Sequence, residues 1–98
     1  MFKNMNEREP TIDCPCCGYL SLIEGQTGEI CPICFWEYDG EVDYKITAPS
    51  KSNNGMTLEV ARANFDNCGA CEESMLKHVL PTEARKKYKH INSEKNKT

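Results

Sequence analysis

The chain has 98 residues and a mass of 11.1 kDa, which suffices for one small domain and excludes two. Twelve Lys and Arg oppose fifteen Asp and Glu, and the net charge of -3 excludes a uniformly basic nucleic-acid binder. The sequence contains neither an apolar run of eighteen residues nor a secretion signal, so we expect a protein of the reducing cytoplasm without a membrane partner. Seven cysteines, an odd number, favour metal binding over disulfides.

Charge and composition divide the chain into three predicted parts. Residues 1–10 are expected to be a flexible lead-in, residues 11–84 the domain, and residues 85–98 a basic tail that begins helical and then frays. Residues 1–50 carry three basic and nine acidic residues, whereas residues 51–98 carry nine basic and six acidic ones. The tail could contact a partner, but such a run of basic residues more commonly forms a solvated helix face.

Short strands are predicted in the first half of the domain. Residues 19–22 suit one strand, and Gly25 and Gly28 bracket a turn that would bring residues 29–30 back beside it. The aromatic residues between positions 35 and 38 suggest a third short strand. This pattern indicates small hairpins rather than a large sheet.

Helices are predicted beyond a loop at residues 49–55. Thr57 is a credible N-cap of a first helix that Gly69 would end. A second helix is expected from Glu72 to Leu80, and a third after Thr82. The apolar faces are predicted to comprise Leu58, Ala61, Phe65 and Cys68, then Met75, Leu76, Val79 and Leu80, then Ala84, Tyr88 and Ile91.

Two C-x-x-C pairs predict a metal site. Cys14 and Cys17 form the first pair, Cys31 and Cys34 the second, and thirteen residues separate the pairs. A two-residue gap lets a tight turn aim both sulfurs at one ion, so two such turns supply a tetrahedron of thiolates. The expected cofactor is one structural zinc ion, which would replace the core that this cysteine-rich half lacks. The predicted fold is therefore a small α+β domain in which one metal staples zinc-ribbon-like N-terminal hairpins, followed by two or three short helices.

Other uses of the cysteines remain open. Rubredoxins arrange iron ligands in similar pairs, although their interval is longer and glycine occupies the position of Phe35. Cys16 could replace a neighbouring ligand, but a packed thiol is the simpler interpretation. Cys68 and Cys71 could form a second site with His78, or with His90, although Cys68 also fits the apolar face of the first helix.

The sequence resembles the cysteine-rich CPCC domain, a small and mostly bacterial family. The resemblance covers about residues 13–81 and is carried by CPCCGYLSL at 14–22, EICPICFWEYD at 29–39, NGMTLEVARANF at 54–65, GAC at 69–71 and VLP at 79–81. It implies a zinc-ribbon-like unit with a helical extension and implies no particular activity. Cys68 departs from the pattern expected of the family, and the tail after Arg85 lies outside it.

Three classes of function follow, and the first is favoured. A non-catalytic protein-protein interaction module, such as an adaptor, an inhibitor or an immunity-type factor, would use the aromatic residues 35–38 beside acidic side chains, although packing on the first helix is the favoured role of Trp36. A thiol redox protein would use Cys68 and Cys71. A nucleic-acid role is not expected, since residues 14–44 contain six acidic residues and no Lys or Arg, which leaves only the tail for phosphate.

Overall fold

The computed structural model describes residues 9–40, 42 and 45–91, so most of the predicted lead-in and the end of the tail lie outside the described residues. Within these residues, two strands, two α-helices and two 3-10 helices follow one another. They are β1 (Ile12–Asp13), β2 (Leu20–Leu22), a first 3-10 helix (Lys51–Asn53), α1 (Leu58–Cys68), a second 3-10 helix (Glu73–His78) and α2 (Thr82–Arg85). The small α+β class is therefore confirmed.

The strand β2 pairs with β1, and the predicted pairing of residues 19–22 with residues 29–30 is wrong. The pairing is antiparallel, with Ile12 opposite Leu22 and Asp13 opposite Leu20. The first C-x-x-C turn joins these strands, because a turn that aims two sulfurs at one point also reverses the chain. Each cysteine pair therefore sits at the tip of its own hairpin.

Residues 28–38 form the second hairpin around the second cysteine pair. Ile30 makes an isolated antiparallel bridge with Glu37, and the Tyr38 N–H donates to the Glu29 carbonyl at 2.7 Å. The predicted third strand is thus reduced to a single bridge. The Glu29 carboxylate accepts hydrogen bonds from the backbone N–H groups of residues 23, 24 and 25, which explains how Glu29 approaches the first hairpin without pairing in a sheet.

Helix α1 confirms the predicted first helix with its predicted caps. The Thr57 hydroxyl accepts a hydrogen bond from the Val60 N–H at 3.1 Å, which satisfies one free donor of the first turn. Gly69 ends the helix at a φ of 92°, a left-handed conformation that glycine adopts without steric cost. Leu58 and Ala61 are completely buried, so the first turns of the helix lie against the core.

The two later helices are shorter than predicted. Residues 73–78 form a 3-10 helix, whose three residues per turn do not maintain an α-helical apolar stripe. Leu76 is accordingly 41% exposed, although Met75 and Leu80 pack against the core. Helix α2 ends at Arg85, and Ile91 is 45% exposed rather than on a common helical face with Ala84.

The core consists of cysteine side chains as much as of aliphatic ones. Trp36, Leu22 and Ile33 are completely buried, and together with α1 they enclose the two cysteine pairs. Trp36 therefore has a packing role and offers no surface to a partner. Few large apolar side chains contribute, so the sulfur cluster is part of the core.

A buried polar network joins the second hairpin to the loop before α1. The Asn53 side-chain amide accepts from the Glu37 N–H at 2.9 Å, and donates to the Glu37 carbonyl and to the Ser50 hydroxyl at 2.8 Å. The Ser50 hydroxyl in turn donates to the Asp39 carboxylate at 2.8 Å. Ser50, Asn53 and Asp39 are all buried, so each bond replaces water that the site excludes.

Asn53→Ala is expected to destabilise the fold by about 2 kcal/mol, because the backbone groups of Glu37 and the Ser50 hydroxyl lose their hydrogen-bond partner. Thermal denaturation at a fixed metal concentration should show a melting temperature lower by roughly 10 °C. Ser52→Ala, on an exposed neighbour, should stay within about 0.5 kcal/mol of the parent. Equal melting temperatures for the two variants would contradict a stabilising role for the network.

Candidate metal centre

The tips of the two hairpins bring four thiols together. The Sγ atoms of Cys14, Cys17, Cys31 and Cys34 all lie within 4.8 Å of one another, and all four side chains are buried. They are the four residues that the spacing of the sequence predicts as ligands. Among the described residues no second group of three His, Cys, Asp or Glu is placed to hold an ion.

The sulfur separations fit a tetrahedral metal ion. The Sγ atoms of Cys14 and Cys34 are 3.6 Å apart, and those of Cys17 and Cys31 are 3.7 Å apart. A tetrahedron with metal–sulfur bonds of about 2.3 Å has sulfur–sulfur edges of about 3.8 Å. The sulfurs are far outside disulfide bonding distance, and all seven cysteines are free thiols. The cluster can therefore accept one ion with little movement.

The two cysteine turns are built alike. In the first knuckle, residues 14–18, the Gly18 N–H donates to the Cys14 carbonyl at 2.9 Å. In the second knuckle, residues 31–35, the Phe35 N–H donates to the Cys31 carbonyl at 2.8 Å. Gly18 has a φ of 80° and Phe35 a φ of 71°, so both knuckles close through a left-handed residue.

The left-handed conformation of Phe35 costs any residue other than glycine about 1 kcal/mol. Its ring stacks on the His78 imidazole, with centroids 4.9 Å apart and planes inclined by 23°. A contact of this kind contributes on the order of 0.5 to 1.5 kcal/mol, which offsets the backbone cost. His78, considered above as a metal ligand, therefore serves to attach the second 3-10 helix to the second knuckle.

Two polar groups outside the cluster lie close to the Cys31 sulfur. The Ser21 hydroxyl lies 3.0 Å from the Cys31 Sγ, and the Ile33 N–H donates to the same sulfur at 3.3 Å. Hydrogen bonding with Cys14 and the other thiols, with Ser21 in support, lowers the pKa of Cys31. Sequence reasoning missed Ser21, since a serine in a short strand carries no signal of this role.

Cys17 and Cys34 resist ionisation in the absence of a cation. Burial raises the pKa of Cys34, and a hydrogen bond with Cys14 is the main cause that raises the pKa of Cys17. Four buried thiolates would repel one another strongly, whereas a divalent ion compensates their charge. Metal binding must therefore release protons, and metal affinity must fall as the pH is lowered.

The second half of the chain secures both knuckles through their carbonyl groups. In the second knuckle, the backbone N–H groups of Leu80 and Cys71 donate to the carbonyls of Pro32 at 3.1 Å and Cys34 at 2.8 Å. In the first knuckle, side chains contact the equivalent carbonyls. The Arg62 Nε donates to the Pro15 carbonyl at 2.9 Å, and the His90 Nε2 lies 2.9 Å from the Cys17 carbonyl oxygen. Sequence reasoning missed both, because each contact joins residues far apart in the chain.

The remaining cysteines lie outside the cluster of four. Cys16 is buried but is not among the mutually close sulfurs. The half-buried Cys68 thiol lies 3.6 Å from the Ala70 carbonyl. Cys71 is buried in the core, and burial raises its pKa to about 12, with nearby Cys16 and Glu72 in support.

The helices give no indication of a membrane span. None of those in the described part of the chain has the length and apolar character needed to cross a bilayer.

Cys34→Ser should remove most of the bound metal, because a structural site of this kind depends on all four thiolates. Cys16→Ser should retain the full metal content, since Cys16 is not part of the cluster. Elemental analysis of the purified variants, together with far-ultraviolet circular dichroism, measures both effects. Equal losses of metal in the two variants would show that the ligand set includes Cys16.

The model of one protein family, described as Cysteine-rich CPCC, matches residues 12–91. This match includes both knuckles, α1 and the segment that carries His90, and it extends beyond residue 81, where the resemblance noted above ends. No curated protein and no solved structure matches the chain significantly. With four fifths of its length matched by the family model, the chain belongs to the cysteine-rich CPCC family.

Proposed function

We propose that this protein is a small zinc protein in which one ion at Cys14, Cys17, Cys31 and Cys34 has a structural role, and that it acts without catalysis by contacting another protein. The observation that carries the zinc assignment is the cluster of four buried sulfurs at tetrahedral separations. Zinc in tetrahedral thiolate sites of this kind typically stabilises small domains. The ion would supply the stability that the hairpins lack, since the first has strands of only two and three residues and the second has an isolated bridge between Ile30 and Glu37.

Iron is the alternative ion. The presence of phenylalanine at position 35, where rubredoxins have glycine, does not exclude it. Phe35 adopts the left-handed conformation that glycine adopts at the equivalent position of the first knuckle, so residue type alone does not distinguish the metals. The interval of thirteen residues between the pairs remains short for a rubredoxin and typical of two-knuckle zinc sites. Zinc is therefore the proposed ion.

The donor set supports a non-catalytic role for the metal. Catalytic zinc keeps one coordination position for water or substrate, whereas four protein thiolates occupy all positions of a tetrahedron. All four sulfurs are also buried, with Cys31 and Cys34 completely so. A water molecule activated at this ion is therefore not expected.

Thiol redox chemistry at Cys68 and Cys71 is not favoured. A reactive cysteine needs an accessible thiolate, which an electropositive environment or a helix N-terminus stabilises. Cys71 is 2% exposed with a raised pKa, and Cys68 lies at the C-terminal end of α1. Both observations favour packed thiols.

Charge supports a protein partner over a nucleic acid. A divalent ion with four thiolates carries a charge of -2, and residues 14–44 add six carboxylates without a Lys or Arg. Phosphate contacts require cations, so the metal-binding half would repel a nucleic acid. A partner with basic residues would meet no such barrier.

Elemental analysis of the purified full-length protein should find about one equivalent of zinc and a colourless solution. Removal of the ion with a strong chelator should unfold the hairpins, because their stability depends on it. A red solution that contains iron would overturn the metal assignment. Two equivalents of zinc would contradict a single site.

A tagged full-length chain purified from its native host is expected to retain a protein at stoichiometric yield, even after nuclease treatment. The Cys34→Ser variant is the matched control and should lose that protein, because its hairpins no longer fold. In solution, generic duplex DNA at physiological salt should bind with a Kd no tighter than on the order of 10⁻⁴ M. Recovery of nucleic acid in place of protein, with tight DNA binding, would refute the interaction role.

A further inference from the structure

Residues 89–91, which we call the clasp, lie along the edge of the first hairpin. The Leu20 N–H donates to the Lys89 carbonyl at 2.8 Å, and the Ile91 N–H donates to the Gly18 carbonyl at 3.0 Å. Tyr19 and His90 form an antiparallel bridge between these bonds. The clasp therefore extends the first hairpin by strand pairing, although it follows β2 by almost seventy residues in the chain.

The His90 side chain reaches from the clasp into the first knuckle. Its Nε2 atom lies 2.9 Å from the Cys17 carbonyl oxygen, so the ring donates from Nε2, and the ring contacts Tyr19 edge-on at 4.7 Å between centroids. The peptide unit that begins at the Cys17 carbonyl ends at the Gly18 N–H, which donates to Cys14. The planar peptide group between Cys17 and Gly18 is thus hydrogen-bonded at both ends, to His90 through its carbonyl and to Cys14 through its N–H.

The second knuckle holds the equivalent peptide in the same way. The Cys34 carbonyl accepts from the Cys71 N–H, and the Phe35 N–H donates to Cys31. A backbone donor thus does for Cys34 what His90 does for Cys17. In both knuckles, therefore, the peptide after the second cysteine is hydrogen-bonded through its carbonyl and through its N–H. We take this shared arrangement as the means by which the fold orients these cysteines.

Gly18 allows the clasp to approach this closely. A β-carbon at position 18 would lie 3.1 Å from the His90 Nε2 and 3.2 Å from the Ile91 Cγ2. Such distances are shorter than ordinary contacts between carbon and its neighbours. The absence of a side chain at Gly18 therefore serves the clasp as well as the left-handed turn.

We propose that His90 is a positioning residue of the metal site and that the clasp slows loss of the ion by holding the Cys17–Gly18 peptide in the ligating geometry. This inference rests on the proposed zinc site and adds a C-terminal element to it. Without the clasp, the peptide can rotate and carry the Cys17 sulfur away from the ion. The clasp also accounts for a histidine in a segment that otherwise consists largely of basic surface residues.

The test measures zinc transfer from the full-length protein to an excess of a chromogenic chelator. His90→Ala should release zinc roughly tenfold faster, the effect of one lost hydrogen bond of about 1.4 kcal/mol. His90→Gln retains an N–H donor on a side chain of similar reach and should stay within about threefold of the parent. Ile91→Pro removes the N–H that donates to Gly18 and should also accelerate release, whereas Ile91→Ala keeps that N–H and should not.

Asn53→Ala distinguishes positioning from general stability, since it weakens the fold on the side of the second hairpin. In the cobalt-substituted proteins, His90→Ala should shift the ligand-field bands of the ion, and Asn53→Ala should leave them unchanged. Equal acceleration of zinc release by both variants with unshifted cobalt bands would overturn the proposal. If His90→Ala does not fold, the pair of Ile91 variants decides, and equal rates for these two would also overturn it.

The outcome separates the two proposals. A parent protein that binds no zinc refutes the proposed function. A parent that binds one zinc, and whose His90→Ala variant releases it at the parental rate, refutes the clasp alone.

Discussion

The approach of four buried thiols to one point is the constraint on which the rest of this structure depends. The first hairpin has strands of only two and three residues and the second has an isolated bridge between Ile30 and Glu37, and a lone hairpin of this size is not stable in water. Trp36, Leu22 and Ile33 pack around the sulfurs and supply too few large side chains to hold the hairpins together alone. A shared cation would resolve both problems, since it would link the hairpins and permit the thiols to ionise while buried.

The two knuckles share a backbone design but differ in what secures them. Backbone N–H groups of Cys71 and Leu80 hold the second knuckle, and these groups are part of the chain that follows α1. The side chains of Arg62 and His90 hold the first knuckle. The helical half is therefore part of the metal site, because it supplies the donors that both knuckles require. Ordinary substitutions can remove the two side-chain donors, whereas only a change to proline removes either backbone donor.

Local features of this fold could be predicted from the sequence, and long-range features could not. The spacing of the cysteines and the caps of α1 at Thr57 and Gly69 depend on a few adjacent residues, so they are visible in one sequence. The predicted partner of β2 was wrong because Gly25 and Gly28 mark a loop whose shape depends on the Glu29 carboxylate. The role of His90 required knowledge of a contact across 73 positions, which no local pattern encodes.

The two oppositely charged halves of the chain meet at the candidate metal site. A tetrathiolate site with a divalent ion retains a charge of -2 in surroundings of low polarity, and such a charge is stable only where donors and cations face it. The Ile33 N–H donates to the Cys31 sulfur and the Ser21 hydroxyl lies 3.0 Å from it, while the Arg62 Nε donates to the carbonyl of Pro15, directly after Cys14 in the chain. The acidic half contributes the thiolates, and the more basic half places Arg62 and the clasp on the first knuckle. The more basic half therefore contributes hydrogen bonds to the first knuckle, and one of them comes from a cation, Arg62.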